Sequence, residues 1–501
     1  MKLASISFAM VTVWLVGIPA AVHASDFLVP GSRGTAMAGA LVANSEDGHA
    51  TWYNPALLAR TDDCHFGLQY TGIFPSLTAN VHNYGSLGLV PHFQGFDKQG
   101  ALNRTQTQLR VNDMFSGQAD PDAFHGFNIT LLLPITKMMP KFPYRIGFGL
   151  SILVPGAGTS VVRVAGHTAD QPFYPVFGSR IQRLRLYAGA GFEILKDKLS
   201  IGVGATVFTN IQGEVGTLTP MTTFDYTHPK EKQDLPAPSK ATFAQDLGTT
   251  ASPIFGIQFR PIKGLDFGAY YRMAQSMDLN FNVAAGVDVR MGYKLAAEMP
   301  YYLKSDFFYI PASTGLGAGV SLIPGLLLTA QVDWVFWSGL TDNINIADFD
   351  IVPGNINDKG GLVPLEEYGD FKARSYPVPG IRARDVFSPK AGLEWTWWGF
   401  TYLRAGYAFT PSALEPDQQY MNMLLDNNYH TISGGVGFSL KDPLQFIEKP
   451  ILLDFHFAAN VLEKRYNRVG LNDLDGGFHA KGVVETGGTF FGLGVELTLQ
   501  L

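Results

Sequence analysis

The sequence predicts an all-β fold: a 14-stranded antiparallel transmembrane β-barrel whose lumen holds a short N-terminal segment. Three observations carry this expectation. The 501 residues are 46% hydrophobic and only 16% charged, where an ordinary soluble domain carries about 25% charge. Beyond the extreme N-terminus there is no convincing run of about 20 apolar residues, so membrane-spanning helices are excluded. Segment after segment instead alternates apolar with small or polar side chains, the period of two that belongs to strands.

The N-terminus has the build of an export signal. Lys2 is a charged start, Leu3 to Val16 an apolar core, and Gly17 and Pro19 break it. Val22-His23-Ala24 supplies a cleavage site, so residues 1–24 are expected to be removed. Gly315 to Ala330 is also uncharged, but Pro324-Gly325 divides it into two strands and a tight turn.

The alternation is clearest at the C-terminus. Phe491, Leu493, Val495, Leu497, Leu499 and Leu501 share one face, and Gly492, Gly494, Glu496, Thr498 and Gln500 the other. Leu199, Ile201, Val203 and Val207 likewise oppose Ser200, Gly202, Gly204 and Thr206, and Ile146, Phe148, Leu150, Ile152 and Val154 form a third apolar face. Such segments fall at 64–74, 124–134, 144–154, 183–195, 199–210, 251–261, 264–282, 306–323, 326–337, 387–397, 400–409, 429–440, 450–461 and 489–501. The even count suits a closed bacterial barrel, and most segments exceed the five or six residues usual for soluble strands. The second face, rich in Gly with some Arg, Glu and Asp, fits a wet or filled lumen. Tight turns at Lys196-Asp197-Lys198, Pro261 to Gly264, Pro324-Gly325 and Trp398-Gly399 belong to the periplasmic end. The insertions 75–123, 155–182, 211–250, 283–305 and 338–386 belong outside.

Several function classes drop out. A net charge of −6 with no basic run gives no footing for nucleic acid. Cys64 stands alone, so neither a disulfide framework nor a metal or redox role is expected. No Gly-x-Ser-x-Gly or His-Glu-x-x-His motif is present, so no catalytic residue is assigned, the chain is read as a non-enzyme, and no cofactor is expected.

Residues 25–63 do not alternate. Gly31 to Ala43 is dense in small residues, Asn44 to Gly48 makes an acidic turn, and in Thr51 to Leu58 the pair Asn54-Pro55 suits a helix start. A segment this short lacks its own core, and the barrel lumen is the available place for it.

These residues carry a resemblance. Gly31-x-Arg33-Gly34-x-Ala36-Met37-x-Gly39-Ala40, the acidic turn and Ala50-x-x-x-Asn54-Pro55-Ala56 resemble the N-terminal hatch of the FadL family of outer-membrane transporters. Trp334-x-x-Trp337-Ser338 and Leu403-Arg404-Ala405-Gly406-Tyr407, with Pro411 and Pro416 nearby, match in the same order. The terminal Leu501, where such barrels usually end in Phe, is a departure. The resemblance implies a signal peptide (1–24), a hatch (25–63) and a barrel (64–501). It implies passive uptake of hydrophobic molecules through a Gram-negative outer membrane by a monomer, in contact with its lipid and lipopolysaccharide. Cargo lands in a groove between extracellular loops, passes to an internal site beside the hatch, and leaves sideways at a kinked third strand. Long-chain fatty acids are the expected cargo, with aromatic hydrocarbons the alternative and a general diffusion porin a more distant one.

On that basis Asn54, Pro55 and Ala56 would meet the wall at the gate, and Pro155-Gly156 would mark the kink or simply end the strand. Leu218, Met221, Phe224, Leu295 and Met299 would line the groove. Arg183, Arg185 and Arg404 are inward candidates for a ligand carboxylate. Lumen acids such as Glu193, Asp333, Asp454 and Glu496 are the expected partners of any single one of them.

Overall fold

The computed structural model describes residues 21–22, 30–82, 108–110, 124–138, 143–155, 184–209, 249–290, 294–339, 348–349, 383–414, 426–441, 448–472 and 478–501. Fourteen of its strands close into one antiparallel barrel. They are β1 (His65–His82), β2 (Phe124–Pro134), β3 (Ile146–Pro155), β4 (Leu184–Leu195), β5 (Leu199–Thr209), β6 (Thr249–Ile262) and β7 (Leu265–Arg272). Then follow β8 (Ser313–Ile323), β9 (Leu326–Val335), β10 (Val386–Trp397), β11 (Thr401–Thr410), β12 (Tyr429–Leu440), β13 (Ile451–Asn472) and β14 (Phe478–Gln500). Each pairs with the next, and β14 pairs back onto β1, with Leu497 opposite Leu68 and Phe491 opposite Phe74. Every strand of the wall therefore has a partner on both sides among the described residues, which satisfies most of its backbone groups within the wall.

The alternation sorts the side chains as the sequence requires. Phe66, Leu68, Phe127, Phe148, Ile201, Phe255, Ile257, Phe455 and Leu493 point outward and are exposed. Gln69, Asn128, Ser151, Ser200, Gln258, Gln331, Asp454 and Glu496 point inward and are buried. Aromatic rings border the outer band at both ends. At the short-turn end Trp395, Trp397, Trp398 and Phe400 form a continuous stack, with 3.9 Å between the Trp397 and Trp398 centroids. At the opposite end lie Tyr70 with Phe127, Trp334 with Phe387, and Phe409 with His430. Two such girdles around an apolar band are the outer surface of a membrane barrel.

Two expectations are corrected. The segments 264–282 and 306–323 are not single strands: β7 stops at Arg272 and β8 starts at Ser313. Between them, strands Gln275–Arg290 and Lys294–Ile310 pair in a separate sheet, so Leu295 and Met299 lie on a strand, opposite Val289 and Ala285, and not in an irregular loop. The split has a local cause. Met273 turns its N–H to the carbonyl of Pro253, and Pro311, which has no N–H, lies just before β8. The second correction is length. β13 and β14 run well past 461 and before 489, and β1 past 74. Their extensions carry polar residues such as Glu463, Lys464 and Arg465, so no apolar face announces them.

Candidate functional site

The lumen is occupied by residues 30–60, folded as a compact plug. Its elements are α1 (Ser32–Ala36), α2 (Ala50–Tyr53) and a 3-10 turn, Pro55–Ala59. Asn54 makes the junction. Its Oδ1 accepts from the Ala56 N–H as an N-cap at 3.1 Å, while its Nδ2 donates at 2.9 Å to both Val42 O and Ile257 O. One amide side chain thus caps the turn, ties the two halves of the plug, and fastens both to β6. Pro55 follows at a position whose N–H would be unpaired anyway.

The plug shares its apolar core with the wall. Ala50, Leu57 and Leu58 pack with Leu132 of β2, and Val42 packs with Ile254 of β6 and Tyr270 of β7. The close fit depends on the inward glycines. A methyl group on Gly191 would lie 2.7 Å from Pro55 O, and one on Gly435 would lie 2.7 Å from the Ala36 Cβ. Methyl groups on Gly147, Gly202, Gly256, Gly268 and Gly406 would strike Leu58, Ala56, Asn54, Val42 and Ala38. The glycine-rich face of the strands is therefore the seat of the plug.

Charged groups lock the seat. Arg33 donates in a fork to Glu394 of β10 at 2.8 and 2.9 Å, and its third nitrogen reaches Asn44 O at 2.7 Å. Arg404 of β11 joins the same carboxylate at 2.6 Å and also pairs with Asp454 of β13. Burial works against the Arg33 charge, but Glu394 outweighs it and raises its pKa. The Ser32 N–H donates to Glu496 of β14 at 2.6 Å, and Gly31 N–H to Gln69 of β1 at 2.8 Å. His49, fully buried, stands 3.2 Å from Asp47 and 3.5 Å from Glu496. Burial opposes its imidazolium, yet the Glu496 and Asp47 carboxylates raise its pKa to about 9. Asp47, whose burial works the other way, is held low chiefly by His49. On the loop side of α2, Trp52 lies under the Arg272 guanidinium, 3.7 Å from ring centroid to Cζ, and meets Tyr187 edge-on at 5.0 Å.

A closed 14-strand barrel plugged in this manner has close structural counterparts. A Pseudomonas aeruginosa FadL homologue superimposes with a TM-score of 0.56 at 16% identity, over 95% of this chain and 99% of that one. The fold is FadL-type. The toluene transporters TodX of P. putida (TM-score 0.52, 14% identity, 95% and 99% covered) and TbuX of Ralstonia pickettii (0.51, 14%, 95% and 100%) share it. No protein-family model and no curated sequence matches the chain.

Within the FadL-type fold the expected site residues scatter. Asn54, Pro55 and Ala56 sit together on the plug, fully buried against β4, β5 and β6. Pro155 ends β3. Among the described residues the β3 ladder to β4 runs as far as Leu153, and that to β2 as far as Pro155 opposite Gly126. Arg404 is committed to Glu394 and Asp454 and forms part of the plug seat. Arg185 faces inward on β4 and engages neighbours there. Gly156, Arg183, Leu218, Met221 and Phe224 lie outside the described residues. Sequence reasoning missed Glu394, Trp52 and Arg272 as site residues. The alternation of β10 and β7 places Glu394 and Arg272 inward, and that was the available signal.

Proposed function

We propose that this chain is a passive channel for hydrophobic molecules in a Gram-negative outer membrane, exported by residues 1–24 and acting as a monomer. Its loops capture cargo, the plug rearranges, and cargo leaves sideways through the wall at the end of β3. The observation that carries this reading is the plug itself. A lumen filled by a small-residue segment and held by ion pairs resists the free passage of water and ions that a diffusion porin needs. A FadL homologue and two toluene transporters of the same fold support the cargo class. Pro155, at the end of β3, supports the exit, because it has no N–H to donate to a ladder there. Leu295 and Met299, on the hairpin outside the barrel sheet, belong to the capture surface in this reading, with Leu218, Met221 and Phe224.

The test is uptake into liposomes holding the full-length protein, with a labelled long-chain fatty acid and labelled toluene in separate runs, beside a variant lacking residues 25–58. The intact protein is expected to admit at least one cargo at low ion conductance. The deletion should conduct ions in large steps and lose cargo selectivity while keeping a heat-modifiable barrel. Unchanged uptake by the deletion would sink the plug model.

A further inference from the structure

We infer that Arg465 is a positioning residue that holds one side of the loop-side mouth drawn in over the lumen, and that it thereby limits how broad a molecule can enter. The inference rests on the channel reading above and adds a selection by width.

A bulge aims the side chain. The β13–β14 ladder steps from Leu462 opposite Gly488 to Arg465 opposite Thr486, so Glu463 and Lys464 of β13 lie against Gly487 alone. The extra residue reverses the alternation. Arg465 follows the buried Leu462 onto the lumen face, while Glu463 and Lys464 are exposed. There its Nη1 donates to Ser412 Oγ and, at 2.6 Å, to Asp426 O, and its Nη2 donates to Leu414 O at 3.0 Å. Ser412 and Leu414 follow the end of β11, and Asp426 precedes β12, so one side chain ties two segments. A planar guanidinium fork can serve several oxygens at once in fixed geometry.

The Asp426 carboxylate closes the tie from the other side, accepting from Ser412 Oγ at 2.9 Å and Ala413 N–H at 2.8 Å. Ser412 N–H donates to Asn428 Oδ1 at 2.8 Å. Asn427 Nδ2 donates to Glu463 O at 2.8 Å and to Thr486 Oγ1 at 3.0 Å. Arg384, just before β10, adds a third segment through its N–H to Ala413 O at 2.8 Å.

The direction of the tie gives it a consequence for entry. Residues 412–414 leave β11, yet Arg465 sits on β13, two strands and about 10 Å further round the wall. They reach it by crossing the lumen face of β12, which narrows the mouth. Ser412, Ala413, Leu414, Asp426 and Asn427 are all buried. Connecting segments usually run exposed over the surface. This one is buried, and Arg465, Asp426 and Asn428 satisfy the backbone groups that burial would otherwise leave unpaired.

The test uses the full-length protein in the outer membrane of a Gram-negative host that lacks another channel of this fold. Two labelled pairs are compared, each with a slim and a broad member: toluene against pyrene, and hexadecanoate against pyrenyl-hexadecanoate. After subtraction of the rate in cells without the channel, wild type is expected to take up the slim member of a pair that enters at least about tenfold faster than the broad one. Arg465→Met should shrink that ratio several-fold by raising the broad rate, with the slim rate little changed. Arg465→Lys, which keeps the charge but not the fork, should restore part of it. In purified protein, amide exchange of residues 411–414 and 426–428 should quicken in Arg465→Met while the barrel strands stay slow. Heat-modifiability checks folding. If Arg465→Met fails it, Ser412→Ala, which removes one acceptor of Arg465, should move the ratio in the same direction by less. Equal slim and broad rates in wild type, an unchanged ratio in a folded variant, or unchanged exchange overturns the inference and leaves the channel reading intact. Uptake of none of the four probes by wild type overturns both.

Discussion

Arg33 of the plug and Glu394 of β10 meet fork to fork, Nε to Oε2 at 2.8 Å and Nη2 to Oε1 at 2.9 Å. Both side chains are largely shielded, 17% and 12% exposed, so the pair is little screened. Removing one partner of a buried pair costs roughly 3–5 kcal/mol. Arg404 keeps part of the Glu394 charge compensated, so Arg33→Met should weaken the plug by less than that. Amide hydrogen exchange of residues 32–59 should speed up while exchange in the barrel strands stays slow. Equal protection in the variant would show that the fork is incidental to seating.

The glycine seat makes a position-specific prediction. Gly202→Ala places a methyl group against the Pro55–Ala56 backbone, and Gly147→Ala places one against the Leu58 carbonyl. Overpacking of this kind costs about 1–3 kcal/mol per site. Gly492→Ala is the control, since its methyl would meet only Ala458 atoms at 3.8 and 3.9 Å. The first two variants should raise ion conductance through the reconstituted barrel and the control should not. If all three behave alike, the glycines are not the seat.

The barrel wall was legible in the sequence because a period of two survives any loop length. β2 (Phe124–Pro134) and β12 (Tyr429–Leu440) fall where the alternation puts them. The Asn54-Pro55 start was legible because capping is local chemistry. What stayed hidden is non-local or two-sided. Arg33 and Glu394 are 361 residues apart, and nothing near either names the other. The upper ends of β13 and β14 carry polar residues where the lower parts carry apolar ones, so the contrast that marks a strand fades there. Alternation turns Arg272 inward, but its place over the Trp52 ring is a property of the assembled lumen alone.

His49 gives a pH dependence with a definite sign. Its folded pKa, raised to about 9 by Glu496 and Asp47 against the cost of burial, lies above the ordinary value near 6.5. The stabilisation it lends the plug is therefore complete below about pH 6.5 and is lost as pH rises through about 9. Plug exchange should accelerate over that window in wild type. In His49→Leu the plug should be looser throughout and its exchange flat across the window, after correction for the intrinsic pH dependence of exchange. A variant that keeps the wild-type rise would assign it to another group.

Pro155 separates a gate from a plain strand end. The β3 ladder to β2 continues to Pro155, opposite Gly126, and Pro155 has no N–H to donate. Substitution with alanine supplies an N–H and relaxes the fixed φ, so the end of β3 gains a ladder donor. If cargo leaves there, closing the ladder narrows the exit: Pro155→Ala should slow liposome uptake several-fold, leave equilibrium binding of the same cargo unchanged, and leave ion conductance low. Slowed uptake with weakened binding would instead place the proline in the capture route. An unchanged uptake rate would leave it as a strand terminator, and the exit would have to be sought at another seam of the wall.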